Sequence, residues 1–255
     1  MMKNMIVSLN AFDSSEVTTN GQSSFVKLIA EAGAYGIEIR RELLPAGDHQ
    51  LDQIKSEIDR FGLFTVYSAP IECWKEDCQL NNEQLNNIFQ EAVVLGANWV
   101  KVSLGHFQQD KSNIAELGEF LKKQKEIQLL VENDQTPYGG NVQQLQAFFE
   151  SVVEQEVPVK MTFDSGNWYY SGQDVEDALK RLAPYVSYLH LKQVTKKLET
   201  IPLQPVGEHS WKKVMSSFPA DILKALEFPI VPKEKTKDYI QMITDMARER
   251  EELLS

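Results

Sequence analysis

Short apolar runs alternate along this chain with longer stretches whose apolar positions recur every three to four residues. The short runs read as eight strands: Met5–Ala11, Tyr35–Arg40, Phe64–Ala69, Trp99–Leu104, Gln128–Glu132, Val159–Asp164, Tyr188–Lys192 and Leu223–Phe228. The longer stretches read as amphipathic helices at Ser24–Ala32, Leu51–Phe61, Asn82–Leu95, Ile114–Lys123, Val142–Gln155, Val175–Leu182, Ser210–Ser217 and Lys237–Arg250. Gly33, Gly62 and Gly96 stand where a helix-ending glycine is expected. Asp174 is placed to cap the helix it precedes, with Asp177 three residues on, and Pro158 ends any helix before its strand. In 255 residues, a strand-then-helix unit repeated eight times predicts an α/β fold, a (β/α)8 TIM barrel forming one domain over 1–255. The alternative is an open doubly wound sheet. That fold carries a phosphate-binding glycine loop after its first strand, whereas AFDSSEVTTNGQSS follows the first strand here.

Charge narrows the partners. Twenty-six Lys and Arg against thirty-seven Asp and Glu leave a net charge of −11. Nucleic acids and anionic membranes select basic surfaces, so neither is expected as a partner. A small anionic substrate needs only a local positive site and stays open. Cys73 and Cys78 have no zinc-finger spacing and read as reduced thiols. The start, MMKNMIVSLN, has no apolar run long enough for a signal peptide, and no run approaches the ~18 residues of a membrane span. A soluble, cytoplasmic protein is expected.

Catalytic residues of such barrels come from the C-terminal ends of strands. Here strand five ends in Glu132 (QLLVEND) and strand six in Asp164 (VKMTFDSGN). Strand seven carries His190 (SYLHLKQ), and strand eight ends in Glu227 (LKALEFP). Four adjacent strands each deliver one metal-competent side chain at one level. Three carboxylates at one mouth repel each other unless a cation neutralises them. The alternative is that each is solvated or paired with Lys160, Lys192 or Arg40. Alternation places Thr162 and Lys160 on the face of Asp164, and Tyr188 and Lys192 on that of His190. A set of three carboxylates and one imidazole suits one divalent metal ion, Mn²⁺ or Mg²⁺ first, with Co²⁺ or Zn²⁺ possible.

The segments VEND, FDSGNW, YLHLKQ and LEFPI resemble the metal-binding strand ends of the xylose-isomerase-like barrel superfamily. GAYGIEIR and PVGEHSW extend the resemblance over nearly the whole chain. That superfamily includes sugar isomerases and epimerases, inosose isomerases and dehydratases, hydroxypyruvate isomerases and endonuclease-IV-type nucleases. The resemblance implies that Glu132, Asp164, His190 and Glu227 hold one divalent ion, Mn²⁺ foremost. It also implies that Glu132 and Glu227 exchange a proton on opposite faces of a sugar-like carbonyl substrate. The implied activity is that of a sugar isomerase or epimerase. The alternatives are an inosose-type dehydratase on the same site and an inactive sugar- or metal-binding barrel. Relatives are often oligomeric, so a homo-oligomer is expected.

Three departures stand out. Asn167 occupies a position where family epimerases commonly have histidine, QTPYGG with Tyr138 replaces a region that tends to carry glutamate, and HLKQ puts Gln193 where HLKD is frequent. These point away from a ketose 3-epimerase in particular. The nuclease branch is a poorer match, because the chain has four histidines in all and Ser68 stands where those enzymes usually show one. Substrate contacts are expected from Asn167, Lys192, His106 and Trp168. Further mouth candidates are Glu38, Arg40, Glu72, Trp74, Phe12, Glu208 and His209, with Glu38 and Arg40 favoured as a structural charge pair. Lys233, Lys235, Lys237 and the ARERE tail read as solvated.

Overall fold

A computed structural model describes residues 4–254 apart from Asp48, Lys125 and Glu208. Its strands are β1 (Met5–Ser8), β2 (Gly36–Arg40), β3 (Phe64–Trp74), β4 (Trp99–Gly105), β5 (Gln128–Glu132), β6 (Val159–Asp164), β7 (Val186–Leu191), β8 (Gln193–Val194), β9 (Thr200–Ile201) and β10 (Leu223–Leu226). β8 and β9 form a small antiparallel ribbon. The other eight pair in parallel, each with its neighbours in sequence, and β10 closes onto β1. This is a single (β/α)8 TIM-barrel domain, as the repeat of strand and helix predicts.

The helices are α1 (Ser14–Asn20), α2 (Val26–Glu31), α3 (Leu51–Phe61), α4 (Asn82–Leu95), α5 (Ile114–Lys122), α6 (Val142–Glu154), α7 (Asn167–Tyr170), α8 (Val175–Leu182), α9 (Ser210–Ser216) and α10 (Thr236–Leu254). The reason they pack on the barrel is visible in α3. Leu51, Ile54 and Ile58 fall on one stripe and are buried, each contributing about 1.5–3 kcal/mol, while Gly62 ends the helix in a left-handed conformation. Asp174 caps α8 by accepting from the Asp177 amide, as its position predicts. α1 carries a single apolar residue and α7 is only four residues long, so neither shows a period in the sequence. Lys233, expected to be solvated, instead pairs with Glu16 and lies 5.3 Å from the centre of the Phe25 ring.

Two apolar clusters follow from strand alternation. Outward side chains meet the helices in the main core. Inward ones form a separate plug of Ile6, Val66, Leu130, Tyr188 and Ala225, with Phe64, Trp99 and Leu223 packed against it. Gly36 allows this closure, since a Cβ there would stand 2.5 Å from the Phe64 carbonyl oxygen. The plug fills the lumen below the C-terminal mouth, so everything above it is available to chemistry. No helix among the described residues is long and apolar enough to cross a membrane.

Candidate metal centre

One inward position above the plug, the lumen turns polar. Glu132 ends β5, Asp164 ends β6, His190 is the penultimate residue of β7, and Glu227 follows β10 directly. Asp164 pairs directly with His190, while Glu132 pairs with Thr162 and Glu227 lies two residues beyond Ala225, the other partner of His190, so the stagger of the strands brings the four together. The structure therefore unites the four residues that the strand ends single out. One potential ligand atom from each lies within 4.8 Å of the others.

The imidazole organises the cluster. His190 Nδ1 faces Glu132 Oε1 at 2.9 Å, Glu227 Oε2 at 2.9 Å and Asp164 Oδ2 at 3.8 Å. Its other nitrogen, Nε2, lies 2.9 Å from Glu38 Oε2. Cations fill the spaces between acids. Lys192 Nζ is 2.8 Å from Asp164 Oδ2 and 2.9 Å from Glu227 Oε2. Lys101 Nζ is 2.5 Å from Glu132 Oε2, and Arg40 joins Glu38 at 3.0 Å to Glu227 at 2.9 Å. Asn10 also donates to Glu227 Oε1, at 2.8 Å.

The local backbone serves Asp164. Its Oδ1 accepts from the Gly166 and Asn167 amides at 2.7 and 2.8 Å, which orients Oδ2 toward the cluster. A Cβ on Gly166 would stand 2.8 Å from the Lys192 stem, so glycine lets that lysine pass. Asn133 exchanges bonds with the Asp164 backbone, and its own carbonyl takes one from the Asn167 side-chain amide.

These contacts set the protonation states. Burial raises Asp164 to about 7, with the Glu227 and Glu132 charges adding to it against Lys192. Burial also pushes Glu38 and Glu227 upward, but His190 with Lys101 and Arg40 holds the first low, and Lys192, His190 and Lys101 hold the second low. Burial opposes charge on His190, yet Glu38, Glu227 and Glu132 raise it well above its ordinary value.

The donor chemistry fits a hard divalent cation. Glu132 Oε1 and Asp164 Oδ2 are buried and lack a well-directed hydrogen bond, although a nitrogen lies within ion-pair distance of each. Such oxygens are costly unless something positive satisfies them. An ion held by Glu132, Asp164, His190 and Glu227 would do so.

A cavity of about 330 Å³ opens directly above, lined by Asn10, Arg40, Lys101, Glu132, Asn167, Lys192 and Glu227 among others. It falls in the range of small-ligand sites. A larger groove of about 620 Å³ runs between Tyr169–Glu176 and Gly207–Lys213. It gathers exposed ionic residues with no convergent buried cluster, so the smaller cavity is the better candidate.

The other expected contacts divide. Asn167 and Lys192 line the cavity. Trp168 does not: it is fully buried with its ring 5.2 Å from Phe163. His106 lies outside as well, stacked on Tyr138 at 3.9 Å and 3.7 Å from Glu72, which also accepts from the Tyr138 hydroxyl. Trp74 and Phe12 are core residues, and His209 Nε2 meets the Val206 carbonyl. Glu208 lies outside the described residues. Lys160, expected to face inward with Asp164, is exposed near the start of its strand. Lys101 and Asn10 are site residues that the sequence reading misses. The one signal for Lys101 is its alternation with Trp99 and Ser103 along β4.

Comparisons with known proteins agree with the fold. L-ribulose 3-epimerase superposes with a TM-score of 0.70 at 15% identity, over 100% of this chain and 98% of that one. The probable 3-DHS dehydratase AsbF of Bacillus anthracis gives 0.67 at 15%, over 94% and 98%. Endonuclease IV of Thermus thermophilus gives 0.64 at 15%, over 97% and 99%. At such identity the likeness shows the fold alone, and the three differ in chemistry. No curated protein matches the sequence. The model of the xylose isomerase-like TIM barrel family matches residues 26–217, and the chain belongs to that family.

Proposed function

We propose that the protein is a divalent-metal-dependent isomerase or epimerase of a small sugar or related polyhydroxy carbonyl compound. The observation that carries this reading is the convergence of Glu132, Asp164, His190 and Glu227, with two unsatisfied buried oxygens, beneath a ligand-sized cavity. Those four residues would hold one ion, Mn²⁺ suiting the oxygen-rich set best, ahead of Mg²⁺, Co²⁺ and Zn²⁺. When bound, that ion would supply Lewis-acid polarisation of a substrate carbonyl oxygen.

The chain's own residues supply the rest. Glu132 Oε2 takes a proton from the carbon beside the carbonyl and later releases it to solvent, and Glu227, after taking up a proton from solvent, returns one from the opposite face. Lys192 and Asn167, both in the cavity wall, bind substrate oxygens. Trp168, the neighbour of Asn167 in α7, bears on the site from within the core. Dense pairing of the cavity cations with carboxylates leaves no free phosphate cradle, which favours an unphosphorylated substrate. The acidic chain and the small cavity favour a small molecule over nucleic acid.

One asymmetry supports a second reading. Glu132 Oε2 has one partner, Lys101, whereas Glu227 Oε1 accepts from both Arg40 and Asn10. Two donors on one oxygen make it a poorer base. A reaction that needs one base, the loss of a β-hydroxyl as water by an inosose-type dehydratase, uses the same site. Turnover of a sugar and inosose panel in D₂O with Mn²⁺ separates them. An isomerase leaves solvent deuterium in a product of unchanged formula, and a lyase gives a dehydrated one. Stoichiometric metal binding with no conversion anywhere in the panel would favour an inactive barrel and defeat both.

A further inference from the structure

The reading above leaves one buried acid without a task. Glu38 on β2 has no exposed surface and does not line the cavity. Its Oε2 accepts from Tyr188 Oη at 2.9 Å and faces His190 Nε2 at 2.9 Å. Its Oε1 accepts from Ser8 Oγ at 3.2 Å and Arg40 at 3.0 Å, with Lys101 Nζ at 3.6 Å. Tyr188, Ser8 and Arg40 donate to it and Lys101 adds a second cation, so Glu38 is held as a carboxylate, with acceptors alone. Taking a carboxylate out of water is costly, and the surrounding cations offset that cost.

What this arrangement accomplishes is decided at the imidazole. An ionised carboxylate has no proton to give, so the bond between Glu38 and His190 requires the proton to reside on Nε2. The carboxylates facing Nδ1 hold a proton there too until an ion displaces it, and Nδ1 is then the only ring nitrogen able to offer a lone pair. It is also the nitrogen facing Glu132, Asp164 and Glu227, including both unsatisfied oxygens. Arg40 and Lys101 each bridge Glu38 to one of those acids, Arg40 to Glu227 and Lys101 to Glu132. The same carboxylate thus fixes the ring and, through two cations, the acids on either side of it.

We propose that Glu38 is the positioning residue of the metal centre, locking His190 in the orientation and tautomer that present Nδ1 to the ion. This rests on the metal reading given under the proposed function. Glu38 acts through His190 and touches no substrate.

The test uses chelator-treated full-length protein and Mn²⁺ alone as the probe, titrated calorimetrically. Wild type is expected to bind one ion. Glu38→Gln is expected to bind it about 10–100-fold more weakly, the usual cost of losing such an outer partner. Tyr188→Phe removes a different donor from the same carboxylate oxygen and leaves Glu38 facing His190, so it should keep an affinity close to wild type. A second measurement needs no variant. In Zn²⁺-loaded wild type, imidazole ¹⁵N spectra should show the His190 proton on Nε2 and metal-shifted Nδ1. The inference is overturned if Glu38→Gln binds Mn²⁺ as wild type does, or if the His190 proton sits on Nδ1. Wild type that binds no ion would overturn the metal reading and this inference together, whereas normal wild-type binding with an unaffected variant removes this inference alone.

Discussion

Two layers of the barrel lumen lie one inward step apart and have opposite characters. Ile6, Val66, Leu130, Tyr188 and Ala225 form the lower one. Two residues further along the same strands stand Ser8, Ser68, Glu132, His190 and Glu227. Two residues of strand advance roughly 6.6 Å, so chemistry begins within one side-chain length of the plug. Tyr188 belongs to both layers: its ring packs edge-on against Trp99 at 5.7 Å, while its hydroxyl bonds Glu38. The lower layer closes the lumen with apolar contacts. The upper layer can then hold buried charges whose arrangement suits a ligand rather than the fold.

The sharpest way to break that division is to remove one group from each layer of β5. Glu132→Gln should leave the fold intact and lower turnover by about 10²–10⁴-fold, the range for losing a general base. Leu130→Ala, one inward step below, should cost about 2–5 kcal/mol of stability with the ion stoichiometry retained. Denaturation, metal titration and turnover measured on both variants check this. A destabilised Glu132→Gln with normal turnover would mean that the layers are not divided in this way.

A somewhat smaller effect is expected within the upper layer. Lys101→Met leaves Glu132 and Glu38 without a shared cation, and breaking a buried pair from one side costs about 3 kcal/mol or more. Mn²⁺ should restore part of that loss, because the ion also neutralises Glu132. In the unaltered protein, Mn²⁺ at about 100 times its dissociation constant should add about 2.7 kcal/mol, and chelation should remove it. Thermal unfolding with and without the ion measures both. Equal unfolding in the two conditions would count against a metal centre.

The same layers explain what the sequence reveals. Barrel strands are legible because fully buried parallel strands are short apolar runs with glycine-ended helices between them. β5 and β6 have the predicted bounds, while β3 runs on to Trp74 past an irregularity between Ser68 and Glu72. Ligand candidates are legible because acids and a histidine interrupt apolar runs at strand ends. Lys101 escapes notice because a lysine within a strand ordinarily reads as exposed. Only the register, which sets it beside Leu130 and between Glu38 and Glu132, reveals its burial. Alternation misleads at Lys160 for the converse reason: it gives the facing, but not the burial, and Lys160 is exposed. Trp168 and His106 lie past strand ends, where periodicity says nothing about direction.

A third buried lysine sharpens the comparison with the smallest effect. Lys224 is 1% exposed on β10 and donates to the Ala220 carbonyl at 2.8 Å. Lys101 and Lys192 are also buried, but their carboxylates raise them above the ordinary lysine value. Burial lowers Lys224 to about 8, and Asp221 and Glu251 only partly oppose it. The sign follows from proton counting. Between about 8 and the unfolded value of about 10.4, the unfolded chain holds a proton that the folded one has released. Stability contributed by this site therefore rises with pH across that window, and at pH 7 the full cost of burying the charge is present. Lys101 and Lys192 act oppositely, losing stability as the pH climbs through their raised values. Lys224→Met should stabilise the protein at pH 7 by on the order of 1 kcal/mol, and its advantage should shrink between pH 8 and 10. Urea denaturation of both proteins at pH 7, 8, 9 and 10 gives the difference curve. A difference that stays constant with pH would show that Lys224 is not held apart from the paired lysines of the lumen.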